Sequence, residues 1–280
     1  MLIAIASGKG GTGKTTVAVN LALSAPGPVC LLDCDVEEPN CHIFIKAELG
    51  PPEPVTIPVP VVDGAKCTAC GACSRICQYH AIVSLKTKAL VFPEMCHGCG
   101  GCVKVCPAGA ITESGHAIGV IVSGRSGGID FTHGRLDVGH PMSPPLIRAV
   151  KRHAAAEGLT IIDCPPGTSC PVITALRDSD YVVLVTEPTP FGLHDLQLAV
   201  ATVHALGIPC GVVINRSDAG DEGVLDYCRK TYLPVLHLIH EDRRIAEAYS
   251  RGVAVIDALP EYASAYARLW AMIDPVGRSV

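Results

Sequence analysis

A glycine-rich stretch lies almost at the start of the chain, and it restricts the architecture more than any other feature. Met1–Ala6 is a short apolar run, and Ser7-Gly8-Lys9-Gly10-Gly11-Thr12-Gly13-Lys14-Thr15-Thr16 follows it directly. Gly8 to Thr15 fit G-x-x-x-x-G-K-S/T, set between strand-like and helix-like sequence. The glycines let backbone N–H groups turn inward around phosphate oxygens, and the following helix points its positive end at them. Lys14 is then placed for the β- and γ-phosphates, and the Thr15 hydroxyl for Mg²⁺.

Two acidic segments belong with this loop. Val29–Leu32 ends in Asp33-Cys34-Asp35, and Leu159–Ile162 ends in Asp163-Cys164-Pro165-Pro166-Gly167. An Asp at the carboxyl end of a buried strand, beside a phosphate loop, stands where a magnesium ligand or a water-orienting carboxylate is needed. A capping Asp is the plainer alternative for each one alone; the loop tips both toward function. Similar apolar runs recur at Ala117–Val122, Tyr181–Val185, Cys210–Ile214 and Leu233–Ile239. Only 4% of residues are aromatic against 49% hydrophobic, which suits aliphatic parallel strands. The expected fold is α/β, a doubly wound, mostly parallel sheet.

The middle of the chain carries a different signal. Cys67, Cys70, Cys73 and Cys77 share one spacing with Cys96, Cys99, Cys102 and Cys106, each partner 29 residues further on. Ala81 and Ile82 recur at the same offset as Ala110 and Ile111, so a half-module is duplicated. The run C-x-x-C-x-x-C-x-x-x-C is similar to that of bacterial ferredoxins. There three thiolates wrap one cubane cluster, and the fourth is carried to the other. This assigns one 4Fe–4S cluster to Cys67, Cys70, Cys73 and Cys106, and a second to Cys96, Cys99, Cys102 and Cys77. Pro107 follows Cys106 as that pattern expects, whereas Gln78 follows Cys77. Zinc uses paired C-x-x-C knuckles and would leave an eight-ligand repeat unexplained.

Lys9 is the extra lysine of a deviant Walker A motif, K-G-G-T-G-K-T-T. The sequence resembles the MinD/ParA/Mrp-type P-loop ATPases, which include the nitrogenase iron protein. Within that group it is most similar to members with an inserted two-cluster ferredoxin domain. The likeness runs through Asp33–Asn40, Asp163–Thr168, Glu187-Pro188-Thr189 and Val213–Arg216. It implies a slow, partner-stimulated ATPase that uses ATP and Mg²⁺. Lys9 would reach the partner's phosphates across a nucleotide-sandwich dimer, either a homodimer or a heterodimer with a paralogue. Asp35 would orient the attacking water, with Asp33 on the magnesium side and Asp163 in Walker B. Asn215 would meet the adenine, beside Arg216.

Composition marks the borders of the insert. Pro51-Pro52-Glu53-Pro54 and Pro58-Val59-Pro60 form a stiff extended entry, and the exit falls near Glu113-Ser114-Gly115. The expected division is 1–60 and 114–280 for the ATPase domain and 61–113 for a small α+β ferredoxin-like insert. Ser123–Gly139, rich in glycine, is expected to be a hairpin-like excursion. The apolar start leads straight into the glycine loop and is too short for a signal peptide. With fifteen cysteines, this points to a reducing cytoplasm and to ligands and free thiols. Net charge is −5 with no basic run, so neither nucleic acid nor a membrane is an expected partner.

Of the remaining cysteines, Cys30, Cys210 and Cys228 read as core. Cys34 and Cys164 stand inside the acidic segments, where a thiol could sense or transiently bind metal, and Cys170 invites a less favoured bridging site between subunits. His97, His133 and His140 read as surface or hydrogen-bonded. The leading expectation is an iron–sulfur ATPase that couples nucleotide state to electron transfer or metallocluster assembly. It would serve a redox or metallocluster-binding partner of iron–molybdenum-cofactor-binding type. The alternative is a MinD/ParA-like positioning ATPase with the insert as a docking or redox-sensing module. Against it, Glu261–Val280 has apolar spacing at Tyr262, Tyr266, Leu269 and Ile273 but little basic charge, as in a docked terminal helix.

Overall fold

The computed structural model describes residues 1–277; the last three, at the end of the segment read as a terminal helix, lie outside the described residues. The chain begins β1 (Leu2–Ala6), α1 (Lys14–Leu23), β2 (Val29–Asp33), α2 (Cys41–Ile45), β3 (Glu48–Leu49) and β4 (Glu53–Val62). The cysteine-rich stretch forms α3 (Ala72–Ile76), β5 (Ile82–Ser84), β6 (Ala89–Val91) and α4 (Gly101–Lys104). Next come β7 (Ile111–Ser126), β8 (Ile129–Leu136), α5 (Pro144–Lys151), β9 (Leu159–Asp163), α6 (Cys170–Leu176), β10 (Tyr181–Thr186) and α7 (Pro190–Ala205). The remainder is β11 (Cys210–Asn215), α8 (Gly223–Thr231), β12 (Val235–Ile239), α9 (Arg243–Ser250), α10 (Val255–Ala258) and α11 (Ala263–Gly277).

Two compact units result, one of Met1–Pro52, Ile121–Arg135 and Ile147–Val280, the other of Glu53–Val120 and Leu136–Leu146. In the first, the strand order is β12-β11-β10-β1-β9-β2-β8-β7-β3. From β12 through β8 every pairing is parallel, while β3 meets β7 antiparallel. All residues of β2 and of β10 are buried, as strands covered on both faces must be. Register sets Asp33 beside Asp163, and Asp163 beside Ile5, so the ends of β1, β2 and β9 open at one edge.

The glycine-rich segment after Ser123 is a hairpin, as expected, but it lies in the main sheet and is no excursion from it. A turn at Gly127-Gly128 separates β7 from β8, and β8 pairs parallel with β2 inside the main sheet. Residues 131–134 of β8 are all buried, as in a strand covered on both faces, and the glycines on either side obscured it. At the other end of the chain, α11 buries Tyr266, Leu269 and Ile273 in the core that also holds Ile3, Leu21 and Leu31. Trp270 Nε1 donates to the Leu21 carbonyl at 3.0 Å, which fixes α11 against α1.

The second unit is wider than the 61–113 stretch expected, because β4 begins at Glu53 and pairs with β7. The prolines do not prevent this. Pro54, Pro58 and Pro60 have the same parity, so the missing N–H groups fall on one edge of β4 and the other edge is free to pair. The 29-residue repeat is visible in the backbone. Gly71 and Gly100, both left-handed, precede α3 and α4, and His80 takes at φ 53° the position that Gly109 takes at φ 56°. His80 N–H donates to the Cys77 carbonyl as Gly109 N–H does to Cys106, so Gln78 makes the same turn as Pro107.

Leu269 is fully buried between α1 and the sheet. Leu269→Ala is expected to destabilise the first unit by about 2–5 kcal/mol, read as a lowered urea midpoint of unfolding.

Candidate functional site

The glycine loop joins β1 to α1 at the open edge of the sheet. α1 has no side-chain cap, so the N–H groups of its first turn are left for a ligand. Gly13 has φ 94°, and a Cβ there would stand 2.6 Å from Asn215 Nδ2. That amide donates to the Thr12 carbonyl at 2.9 Å, and its Oδ1 accepts from Arg216 N–H at 3.0 Å. Asn215 therefore braces the loop from β11. Gly8 is tight for another reason: a Cβ would run into the Asp195 carbonyl of α7.

Beneath the loop lie two carboxylates that reach no solvent, Asp33 and Asp163. Thr15 Oγ1 donates to Asp163 Oδ2 at 2.7 Å, while Asp163 Oδ1 is buried without a partner. Asp33 accepts from the backbone N–H groups of Asp35, Asn40 and Cys41 at 3.1, 3.0 and 3.0 Å, which folds the acidic segment around it. Burial, and then Asp163, push the Asp33 carboxyl well above its usual range; burial pushes Asp163 up as well. Asp35 is raised to about 6 by burial and then by Asp163. A hard divalent cation suits this set: oxygen donors from Thr15, Asp33 and Asp163, with an orphaned carboxylate oxygen among them. Mg²⁺ fits it.

A cleft of about 490 Å³ opens above, lined by Gly10, Gly11, Gly13, Lys14, Thr15, Thr16, Asp35, Asn215 and Arg216 among the residues singled out from the sequence. Gly8, Lys9, Thr12, Asp33 and Asp163 do not line it. Lys9 instead pairs within its own chain with Glu187 at 3.2 Å, and Arg216 pairs with the same carboxylate at 3.1 Å. The far wall, His240 to Arg243 with Tyr249, was not foreseen. Its one sequence signal is Asp242, which caps α9 through Arg244 N–H at 2.9 Å. Cys41 was also missed: fully buried, it donates from Sγ to Asp163 Oδ2 at 3.4 Å.

In the second unit the cysteines fall into two sets. Cys67, Cys70, Cys73 and Cys106 line one pocket; Cys77, Cys96, Cys99 and Cys102 line another. Among the described residues, neither set has three sulfurs all within 4.8 Å of one another. Thiolates on one zinc ion, at ~2.3 Å each, would stand no more than ~4.6 Å apart, a spacing that no three sulfurs of either set show among the described residues. Backbone N–H groups of Gly98 and Ala110 donate to Cys96 Sγ and Cys106 Sγ at 3.4 and 3.3 Å. Tyr79 and His97, stacked with centroids 3.3 Å apart, lie at the second pocket.

The other thiols divide by burial. Cys34 and Cys164 are wholly enclosed, and burial raises both. Cys30, Cys210 and Cys228 are core, and burial pushes each to about 11. Cys170 is exposed. His133 is buried, not a surface residue, and burial holds it down at about 4.

A parallel sheet with a phosphate loop at its edge and two buried carboxylates under the loop defines a P-loop ATPase. Residues 3–255 match the CbiA family, the CobQ/CobB/MinD/ParA nucleotide binding domain, and the chain belongs to that family. It is 30% identical to the uncharacterized protein MJ0579 of Methanocaldococcus jannaschii over 257 residues, 90% of each chain. It is 26% identical to that organism's uncharacterized ATP-binding protein MJ0547, covering 95% of this chain and 83% of the relative. The fold is shared with the septum site-determining protein MinD of Pyrococcus horikoshii, solved with Mg-ADP: TM-score 0.60, 20% identity, 99% and 97% of the two chains. A ParA family ATPase from Chlorobium tepidum aligns at TM-score 0.60 and 14% identity, over 97% of this chain and 98% of its own.

Gly13→Ala is expected to displace the Asn215 amide and weaken ATP binding by about ten-fold or more, some ~1.4 kcal/mol, read by a fluorescent ATP analogue.

Proposed function

We propose that this ATPase is a nucleotide-driven switch whose cysteine-rich unit is a ferredoxin-like module holding two 4Fe–4S clusters, Cys67, Cys70, Cys73 and Cys106 for one and Cys77, Cys96, Cys99 and Cys102 for the other. The observation that carries the reading is the division of the eight thiols between two pockets, each drawing one cysteine from the other repeat. Cubane clusters supply one-electron chemistry at low potential, tuned by hydrogen bonds to sulfur of the kind Gly98 and Ala110 make.

On the nucleotide side, Lys14 and the free N–H groups of α1 bind and orient the phosphates. Thr15, Asp33 and Asp163 hold the magnesium side, Asp35 orients the attacking water, and Asn215 with Arg216 braces the loop near the base. Glu187 holds Lys9 in cis, so in the assembly proposed here Lys9 leaves Glu187 for the partner's phosphates. Glu187→Gln is expected to raise the ATP-dependent dimer fraction and Lys9→Ala to abolish it, measured by sedimentation in Mg-ATP.

Two uses of such a switch differ in class. The likeness to MinD and partition ATPases weighs toward positioning, with the cysteine-rich unit as a dock. The paired cages favour electron transfer or metallocluster assembly on a redox or metallocluster-binding partner. Anaerobic iron and sulfide analysis is expected to find about eight of each per chain. Cys77→Ala should remove the cluster of Cys96, Cys99 and Cys102 and spare the other, about half the iron. Electron paramagnetic resonance of the reduced protein then separates the uses. A cluster signal that changes with Mg-ATP supports electron traffic, and a signal indifferent to nucleotide leaves docking.

A further inference from the structure

The structure holds a thiol where the chemistry so far described has no use for one. Asp33, Cys41 and Asp163 present ligand atoms that all lie within 4.8 Å of one another, and all three residues are fully buried. Around one zinc ion, a thiolate at ~2.3 Å and carboxylate oxygens at ~2.0–2.2 Å span no more than ~4.5 Å, so the three can close on a common ion with little movement. Two further observations point to a ligand. Asp163 Oδ1 is buried and unpartnered, which costs free energy unless something occupies it. Asp33 has about four acceptor positions on its two oxygens, of which three accept backbone N–H groups, so one remains.

We propose that Asp33, Cys41 and Asp163 form a site for a borderline transition-metal cation of the zinc, cobalt or ferrous class, distinct in preference from the magnesium that accompanies nucleotide. Magnesium takes six oxygens and keeps its waters, and it gains nothing from sulfur; imidazole, thiolate and mixed donors select the later divalent ions. Binding replaces the Cys41 S–H···Oδ2 contact with a metal–sulfur bond, and the thiol proton leaves to solvent. The ion ties Cys41, at the end of the acidic segment, to Asp163 on β9. It also draws on the carboxylate that now accepts from Thr15, so it opposes magnesium and nucleotide at the same loop. The ATPase is in this way responsive to transition metal, whether or not the cages of the second unit are filled.

The full-length, nucleotide-free chain is titrated with cobalt(II) alone as wild type, Cys41→Ser and Cys34→Ser. Any cobalt held by the other cysteines is common to all three proteins, so difference spectra isolate the buried site. A thiolate-to-cobalt charge-transfer band in wild type minus Cys41→Ser, and none in wild type minus Cys34→Ser, is the expected result. Absence of the first difference band overturns the proposal. Should Cys41→Ser fail to fold, pulsed alkylation of the wild type with peptide mapping replaces it. Zinc at about ten times its Kd should slow labelling of Cys41 by roughly ten-fold. Cys34 and Cys164, equally buried at the neighbouring strand ends, should be slowed less, because only the Cys41 thiol is held on the ion itself. Equal slowing of all three signifies general stabilisation and also overturns it. Neither readout depends on ATP turnover or on iron in the cages, so failure here and failure of the proposed function are separable.

Discussion

Asp33 and Asp163, two carboxylates shut off from solvent, stand side by side at the ends of β2 and β9. Their repulsion, in a place where water cannot screen it, is relieved only by what the chain brings to them. Three backbone N–H groups converge on Asp33, and the Thr15 hydroxyl and Cys41 thiol converge on Asp163. The acidic segment, the start of α1 and the head of α2 are therefore arranged around a charge problem, and a cation is what completes its solution. The glycine loop, the cleft and the position of Asp35 follow from that arrangement.

The switch proposed for the nucleotide end draws on the same kind of exchange. In the proposed switch, Thr15 exchanges Asp163 for a cation and Lys9 exchanges Glu187 for a phosphate. Lys9 and Arg216 share one Glu187 carboxylate that is mostly enclosed. Such a shared acceptor can release one cation while retaining the other, which keeps the exchange from stranding a buried charge. The second unit is built on a different logic. Its core is small, Cys73, Ile82, Ala89 and Ile111, with Cys67, Cys77, Cys102 and Cys106 packed around it, so thiols occupy places that aliphatic side chains would otherwise fill.

Much of this was legible in the sequence because it rests on local pattern. The loop from Gly8 to Thr15, the two acidic strand ends and the parallel strands are written in short runs whose geometry neighbouring residues dictate. The 29-residue cysteine repeat is likewise local, and the left-handed turns at Gly71 and Gly100 recur with it. What was misread had its local signal masked. Glycines around β8 hid an interior strand, and prolines in β4, judged by residue type and not by parity, hid a pairing edge. Cys41, the α9 wall of the cleft and the Lys9–Glu187 pair carry almost no local signature.

The sequence by itself determined the class of chemistry, a phosphate loop with acidic strand ends, since such a motif fixes its own backbone and donors. The spacing of the thiols it also determined. Only the tertiary structure decided which groups meet across sequence distance. Asp33 and Asp163 are brought together by strand register, Asn215 comes to the loop from β11, and Cys41 meets Asp163 from the head of α2. The physical reason is that a strand or turn is settled by a handful of neighbours, whereas contact between distant residues is settled by which faces the whole core must bury.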